Sequence, residues 1–221
     1  MSFPTPLTNE IMNANQQATD GWAKFLDADT LKNNLVGSAM YIVSFEIMRN
    51  SILDHLRGYY TRGYSDGKRV FSERYKSEVL ALHKSPLTAS LLWFKKNGVV
   101  DDDDIDAVDR IREHRNLLAH ELPKIITDCD YEIDFSLYTN IQEIVAKIDR
   151  WWVREVEIPT NPDMDHLDAD SIPDLEITSG NMVFLHLLQQ IVADDGTNKW
   201  YNDIMNGTAE HAVHPSQPNA E

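Results

Sequence analysis

Residues from Thr30 to about Tyr60 constrain this chain more than any others. Leu35, Met40, Ile42, Val43, Phe45, Ile47, Met48, Ile52, Leu53 and Leu56 make the segment apolar on most faces near its middle. A surface helix shows one apolar stripe, whereas a helix apolar on several sides has to be enclosed by other elements. The spacing therefore predicts a long central helix buried on more than one side.

The rest of the chain reads as helices separated by short polar breaks. A weak, polar helical pattern runs from about Thr8 to Leu26. Gly58, Gly63 and Gly67 break the central helix, and a further helix is expected from near Lys68 to about His83. Ser85-Pro86 is a helix start, because proline suits the first turn. That helix should run through Lys96 and end at Asn97-Gly98 in a left-handed cap. Asp101–Asp104 precedes the next pattern, where carboxylates complement the positive end of a helix dipole. Ile105, Val108, Ile111, Leu117 and Leu118 carry that helix to about Leu122, since Pro123 cannot donate to its continuation.

Another helix is expected from Ser136 to about Val156, with Ile141, Ile144, Val145, Ile148, Trp151 and Trp152 on its stripe. The tryptophan pair is read as core or as a dimer interface. An acidic, irregular stretch follows, and Asn181–Ala193 reads as a short apolar helix. No convincing alternating strand is evident; the best candidate is the short TDCDYEIDF. The fold expected is all-α, a bundle of four to six main helices. With 221 residues, residues 1–206 are read as one helical domain and 207–221 as a disordered tail. No apolar run approaches the roughly 18 residues of a membrane span. The N-terminal MSFPTPLTNE lacks the basic-then-apolar order of a secretory signal. A lone cysteine, Cys129, excludes a disulfide framework and suits the reducing cytoplasm.

The formal net charge is −16. That argues against a general DNA-coating protein, since Lys and Arg drive phosphate binding. The charge is also segregated. Arg57–Lys76 holds six basic residues and two acidic ones, while Val156–Glu176 holds seven acidic residues and no Lys or Arg. The basic segment interleaves Tyr59, Tyr60, Tyr64, Phe71 and Tyr75 with Arg57, Arg62, Lys68, Arg69 and Arg74. Aromatic rings can stack bases while cations follow phosphates. Two readings stand: an RNA-contact loop using Arg62, Lys68 and Arg69, or a loop that balances nearby acidic surface.

One helix concentrates titratable groups: Asp109, Arg110, Arg112, Glu113, His114, Arg115, Asn116 and His120. Within it, Arg115-Asn116-Leu117-Leu118-Ala119-His120 resembles the signature of the HEPN superfamily: an Arg, a polar residue that is often Asn, a few further residues and a His, late in a helical bundle. The resemblance implies an HEPN-like core over about 29–157, frequent homodimerisation, and in many members a metal-independent endoribonuclease acting as a toxin or phage-defence effector. Arg115 would then hold phosphate, His120 would do acid–base work, Asn116 would position, and Arg112 would add an RNA contact. A cognate antitoxin or regulatory protein is an expected partner. Some members carry a modified Tyr two residues after the His; here that position is Leu122.

The residue types suit the chemistry. His titrates near neutrality, and Arg offers a permanent planar cation for phosphate oxygens. No cofactor or metal is called for. Residues five apart on a helix differ by about 140° in direction and about 7.5 Å in height. Arg115 and His120 therefore point apart, which favours a two-fold dimer with a shared cleft. Arg49-Asn50 to His55 is a looser version of the motif, but it lies in the most apolar helix, where a paired or snorkelling Arg is expected. Glu46, an acid among apolar neighbours, needs a partner. Arg115 is one, with solvent, Arg49 or Asn50 as alternatives. The segment Asp163–Asp170 has the acid density of a calcium loop but lacks the central Gly and the twelfth-position Glu. The competing functional reading is a non-catalytic acidic helical module that binds a basic protein or mimics nucleic acid.

Overall fold

The computed structural model describes residues 6–193. The fold is all-α with one small hairpin. Helix α1 (Pro6–Leu26) is followed by α2 (Ala28–Tyr59), strands β1 (Thr61–Ser65) and β2 (Lys68–Phe71), α3 (Pro86–Lys96), α4 (Asp102–His120), α5 (Leu122–Thr127), α6 (Ser136–Trp152), the single turn α7 (Ile158–Thr160) and α8 (Gly180–Ala193). The tail expected over 207–221 lies outside the described residues.

Local chemistry explains most of the boundaries. Asp27 accepts from the Thr30 N–H at 2.7 Å and starts α2 one residue after α1 ends. Ser85 caps α3, and Gly98 ends it at φ +73°. At α4 the acidic run forms a reciprocal capping box. The Asp104 N–H donates to Asp101 at 2.9 Å, and the Asp101 N–H donates to Asp104 at 3.1 Å. Lys147 of α6 also reaches Asp104 at 2.7 Å, so this cap ties two helices together.

α2 is the axis of the molecule. It packs against α3, α4, α6 and α8, with α1 and α5 near its first half. Met48, Ile52, Leu53 and Leu56 are fully enclosed, as are Phe94 of α3, Ile111 and Leu118 of α4, and Ile141, Ile144 and Ile148 of α6. Gly21 lets α1 pass close to α5, since a Cβ there would lie 2.3 Å from the Thr127 carbonyl oxygen. Trp152 is buried against Tyr59 and His55 and belongs to the core, while Trp151 is partly buried and packs against it.

Three expectations need correction. The helix expected from Lys68 to His83 forms only over its second part, residues 73–82, as a mixture of α, π and 3-10 turns, while Lys68–Phe71 is a strand. Asp66 (φ +51°) and Gly67 (φ +74°) make a tight turn, and β1 and β2 pair antiparallel with an irregularity between Thr61 and Gly63. Asp-Gly with both residues at positive φ suits the twist of a two-residue hairpin. One π turn (Tyr75–Val79) and one 3-10 turn (Leu80–Leu82) then lead to α3. The helix carrying Arg115 stops at His120 rather than Leu122, because Pro123 enters the first turn of a new helix, α5. No convincing strand is evident in the sequence, yet β1 and β2 form, while the best candidate, TDCDYEIDF, connects α5 to α6 irregularly. The acidic stretch after Pro162 is a series of 3-10 turns.

One buried carboxylate joins three elements. Asp149 of α6 is 1% exposed. It accepts from Ser51 at 2.7 Å and meets His55 Nε2 at 2.8 Å, both on α2. Its other oxygen accepts from Ser179 and from Asn181 at the start of α8. Ser179 in turn accepts from the Met182 N–H, so the same cluster caps α8. Burial is the largest single influence on Asp149 and pushes its pKa up. The hydrogen bonds from His55, Ser179 and Ser51 outweigh it and hold the carboxyl below its ordinary value. The stability this contributes is present above the unfolded carboxylate pKa and is lost as pH falls through the folded one. Asp149→Ala removes the partner of two hydroxyls, a ring nitrogen and the Asn181 amide, at a cost of about 3 kcal/mol. For a chain of this size that corresponds to a Tm drop of roughly 6–12 °C, measurable by circular dichroism. A Tm within a degree or two of wild type would show that the network does not hold the helices.

Candidate functional site

Glu46 and Arg115 form the centre of the candidate site. The Arg115 Nη2 donates to Glu46 Oε1 at 2.6 Å, linking α4 to α2. The guanidinium carbon lies 5.3 Å from the Phe45 ring centroid. That stacked position closes off Nε, which is buried without a hydrogen-bond partner. Arg115 remains 28% exposed and Glu46 37%, so the outer edge of the pair faces solvent. Nη1 donates to the Asn116 side-chain oxygen at 3.3 Å.

A second Arg–Asn pair meets the same carboxylate. Arg49 lies 3.5 Å from Glu46 Oε2 and donates to Asn50 at 3.4 Å. Of the partners considered for Glu46, Arg115 and Arg49 are both present while Asn50 bonds Arg49 instead, and the two Arg-Asn dipeptides of the chain flank one acid. His55, the histidine of the looser motif, points elsewhere, into the Asp149 network and onto Trp152 with ring centroids 4.6 Å apart.

His120 is the last residue of α4 and is exposed, with no hydrogen bond or ion pair among the described residues. Arg115 faces α2, so the structure does not bring His120 and Arg115 of one chain together. Asn116, one turn before His120 on the exposed face, lies between them in direction. Arg112 is paired with Asp109 at 3.0 Å.

The other RNA-contact candidates sit on the hairpin. Arg62 and Lys68 are exposed without an ion pair among the described residues, while Arg69 approaches Asp54 at 3.5 Å. Thirteen residues of α2 separate Glu46 from Tyr59 at the hairpin's base, about 20 Å along the helix axis.

Sequence reasoning missed a groove on the opposite flank of α4. It has a volume of about 540 Å³ and is lined by Arg110, Glu113, His114 and Leu117 of α4 with Asp134, Ser136, Leu137 and Asn140. Positions 110, 113, 114 and 117 follow the i, i+3, i+4, i+7 pattern of one helix face, which is the signal that could have found it. His114 Nε2 accepts from the Asp134 N–H at 3.1 Å. That nitrogen is therefore occupied, and the imidazole is a poor candidate for a catalytic base. Among the described residues no cluster of His, Cys, Asp or Glu is arranged to hold a metal ion, and no helix is long and apolar enough to cross a membrane. No family model matches this sequence, and neither a curated protein nor a solved structure matches it.

Burial, opposed in part by the Asp134 charge, lowers the pKa of His114. An unfolded His titrates near ~6.5. The unfolded chain thus binds more protons at that pH, and stability from neutral His114 is complete above it and lost as pH falls through the folded pKa. His114→Gln should flatten the decline of Tm between about pH 7 and pH 5. Parallel Tm–pH curves for the two proteins would contradict the assignment.

Proposed function

We propose that this chain is a metal-independent endoribonuclease of HEPN type, acting as a toxin or phage-defence effector. The single observation that carries this reading is the state of the Arg-Asn-x-x-x-His helix. Arg115 is oriented by Glu46 with its outer edge in solvent, and His120 has no hydrogen bond or ion pair among the described residues at the exposed end of the same helix.

Arg115 presents a planar cation to a phosphodiester. His120 takes the proton of the neighbouring 2′-hydroxyl as that oxygen attacks phosphorus. The 5′-oxygen leaves with a proton from a second imidazole, giving a 2′,3′-cyclic phosphate and a 5′-hydroxyl. Because Arg115 and His120 diverge on one helix, a two-fold homodimer supplies both groups to one phosphate, with α4 at the interface. Asn116 positions the phosphate or the imidazole. Arg62, Lys68, Arg69 and Arg112 contact RNA backbone. The competing reading, an acidic module for a basic partner, draws on the seven carboxylates between Val156 and Glu176.

The test is incubation with total RNA in EDTA. His120→Ala changes an exposed helix end and should stay folded, yet lose cleavage by about 10²–10⁴-fold. Arg115→Ala should lose a comparable factor through lost transition-state stabilisation. Full cleavage by His120→Ala, or by a protein that light scattering shows to be monomeric, would overturn the assignment. No cleavage by wild type, together with capture of a basic protein through 156–176, would favour the acidic module.

For the hairpin, replacing Arg62, Lys68 and Arg69 together by Ala should weaken RNA binding. It should also reduce the slope of log K against log salt by about 0.7 for each lost single-strand phosphate contact. An unchanged slope would mean that the hairpin cations do not touch the backbone.

A further inference from the structure

The basic, aromatic segment folds so that its conspicuous tip is not where its aromatic and cationic groups converge. Tyr64 stands out on the hairpin, and its neighbours there are exposed. Convergence occurs at the hairpin's base, in a crevice of about 240 Å³ between the end of α2 and the end of α3. Tyr59, Tyr60 and Trp93 supply its aromatic walls, and Arg74, Glu78 and Lys96 its charges.

The groups in this crevice have divided roles. Glu78 is saturated: it accepts from Arg74 Nε at 2.6 Å, from Arg74 Nη2 at 3.2 Å and from the Tyr60 hydroxyl at 2.6 Å. Those bonds hold its carboxyl below the usual range, so it stays ionised. Arg74 is hydrogen-bonded to Glu78 and Lys96 acts on it through its charge alone, so two cations and one carboxylate leave a net single positive charge in the crevice. The Lys96 ammonium is exposed and has no ion pair or hydrogen bond among the described residues. Beside it, the Tyr59 ring is 50% exposed. It is braced edge-on by Tyr60 (centroids 5.0 Å apart) and by Trp152 (6.0 Å). Trp93 is braced in the same way by Phe94 and Trp151. The rings are thus held by the core, leaving little side-chain freedom to lose on binding a flat ligand.

Rigid aromatic walls next to one uncompensated cation match a planar base joined to a phosphate. We propose that the crevice between Tyr59 and Trp93 is a nucleotide subsite, in which the base lies against the aromatic walls and the phosphate is held by Lys96 with the outer edge of Arg74. It takes either a free nucleotide or one unit of single-stranded RNA. The site lies about 20 Å along α2 from Glu46 and does not depend on Arg115 or His120. It stands whether or not the chain cleaves RNA.

The test is an equilibrium titration of the full chain, followed by tryptophan fluorescence and calorimetry. The probes are 5′-AMP, adenosine, inorganic phosphate and a six-residue oligoadenylate. AMP should bind more tightly than adenosine or phosphate alone. Lys96→Gln should weaken AMP about tenfold while leaving adenosine unchanged. Tyr59→Leu should weaken AMP and adenosine alike, again by about tenfold. Lys32→Gln, far away in the first turns of α2, should change nothing. Oligoadenylate binding tighter than AMP identifies an RNA strand as the source, and equal binding identifies a free nucleotide. The proposal is overturned if AMP fails to bind at millimolar concentration, if phosphate binds as tightly as AMP, or if Lys96→Gln and Lys32→Gln behave alike. Lys96→Gln alters an unpaired surface side chain, so its result does not depend on a refolded core. Because His120→Ala leaves this crevice untouched, loss of cleavage and loss of nucleotide binding report on the two sites separately.

Discussion

A helix that is apolar on several sides is stable in water only when other helices cover it, and α2 is in that position from Gly37 to Leu56. α3, α4, α6 and α8 close around it, each with its own apolar stripe inward. This enclosure decides what the few polar residues of α2 can do. Ser51 and His55 find a buried carboxylate, Asp149, on the helix that covers them. Glu46 lies at the edge of the enclosure and finds Arg115 on another. The core polar network and the candidate site have the same origin: polar groups on a helix that cannot turn all of them to solvent.

The same logic separates their uses. Asp149 is fully enclosed and every oxygen is satisfied, so it holds α2, α6 and α8 in register and is shielded from any substrate. Glu46 and Arg115 are only partly covered. They leave one face of the guanidinium available while fixing the other, the arrangement expected of a group positioned in advance for an anion. The charge balance of the chain adds to this. Many cations sit opposite a carboxylate, as Arg74, Lys76, Arg112, Lys124 and Lys147 do. Exposed pairs of that kind add little stability, but they remove those cations from competition for an anion. Lys32, Arg62, Lys68, Lys84, Lys96 and Arg110 are left without ion pairs among the described residues, and Lys24 and Arg150 donate to backbone carbonyls instead. Of these, Arg62 and Lys68 lie on the hairpin, Lys96 in the crevice at its base and Arg110 in the groove beside α4.

Much of the helical layout was legible because it rests on local chemistry. Ser85-Pro86, Asn97-Gly98 and Asp101–Asp104 each act at the boundary where they stand, through caps that involve residues no more than a few positions away. The Glu46–Arg115 contact was legible as one of several options, since an acid in an apolar run needs a partner but solvent, Arg49 or Asn50 would also have served. The hairpin was not. Asp66-Gly67 is a strong turn signal, but the aromatic and basic residues around it carry no clear alternation, and Phe71 and Tyr75 fit a helical period equally well. Asp149 was overlooked although it stands one turn after Val145 on the apolar stripe of α6. A carboxylate in that position has to be paired, and the sequence could not show with which residue.

By itself, then, the sequence determined most of the long helices, most of the caps and the presence of one Arg-Asn-x-x-x-His helix, because these depend on neighbours along the chain and on helical periodicity. Only the tertiary structure decided which flank of α4 each residue occupies, that two Arg-Asn pairs share Glu46, that His114 is occupied while His120 is free, and that Tyr59 and Trp93 face one crevice. Those facts depend on which helices lie side by side around α2. That choice is made by the packing of side chains far apart in the chain, and no local spacing encodes it.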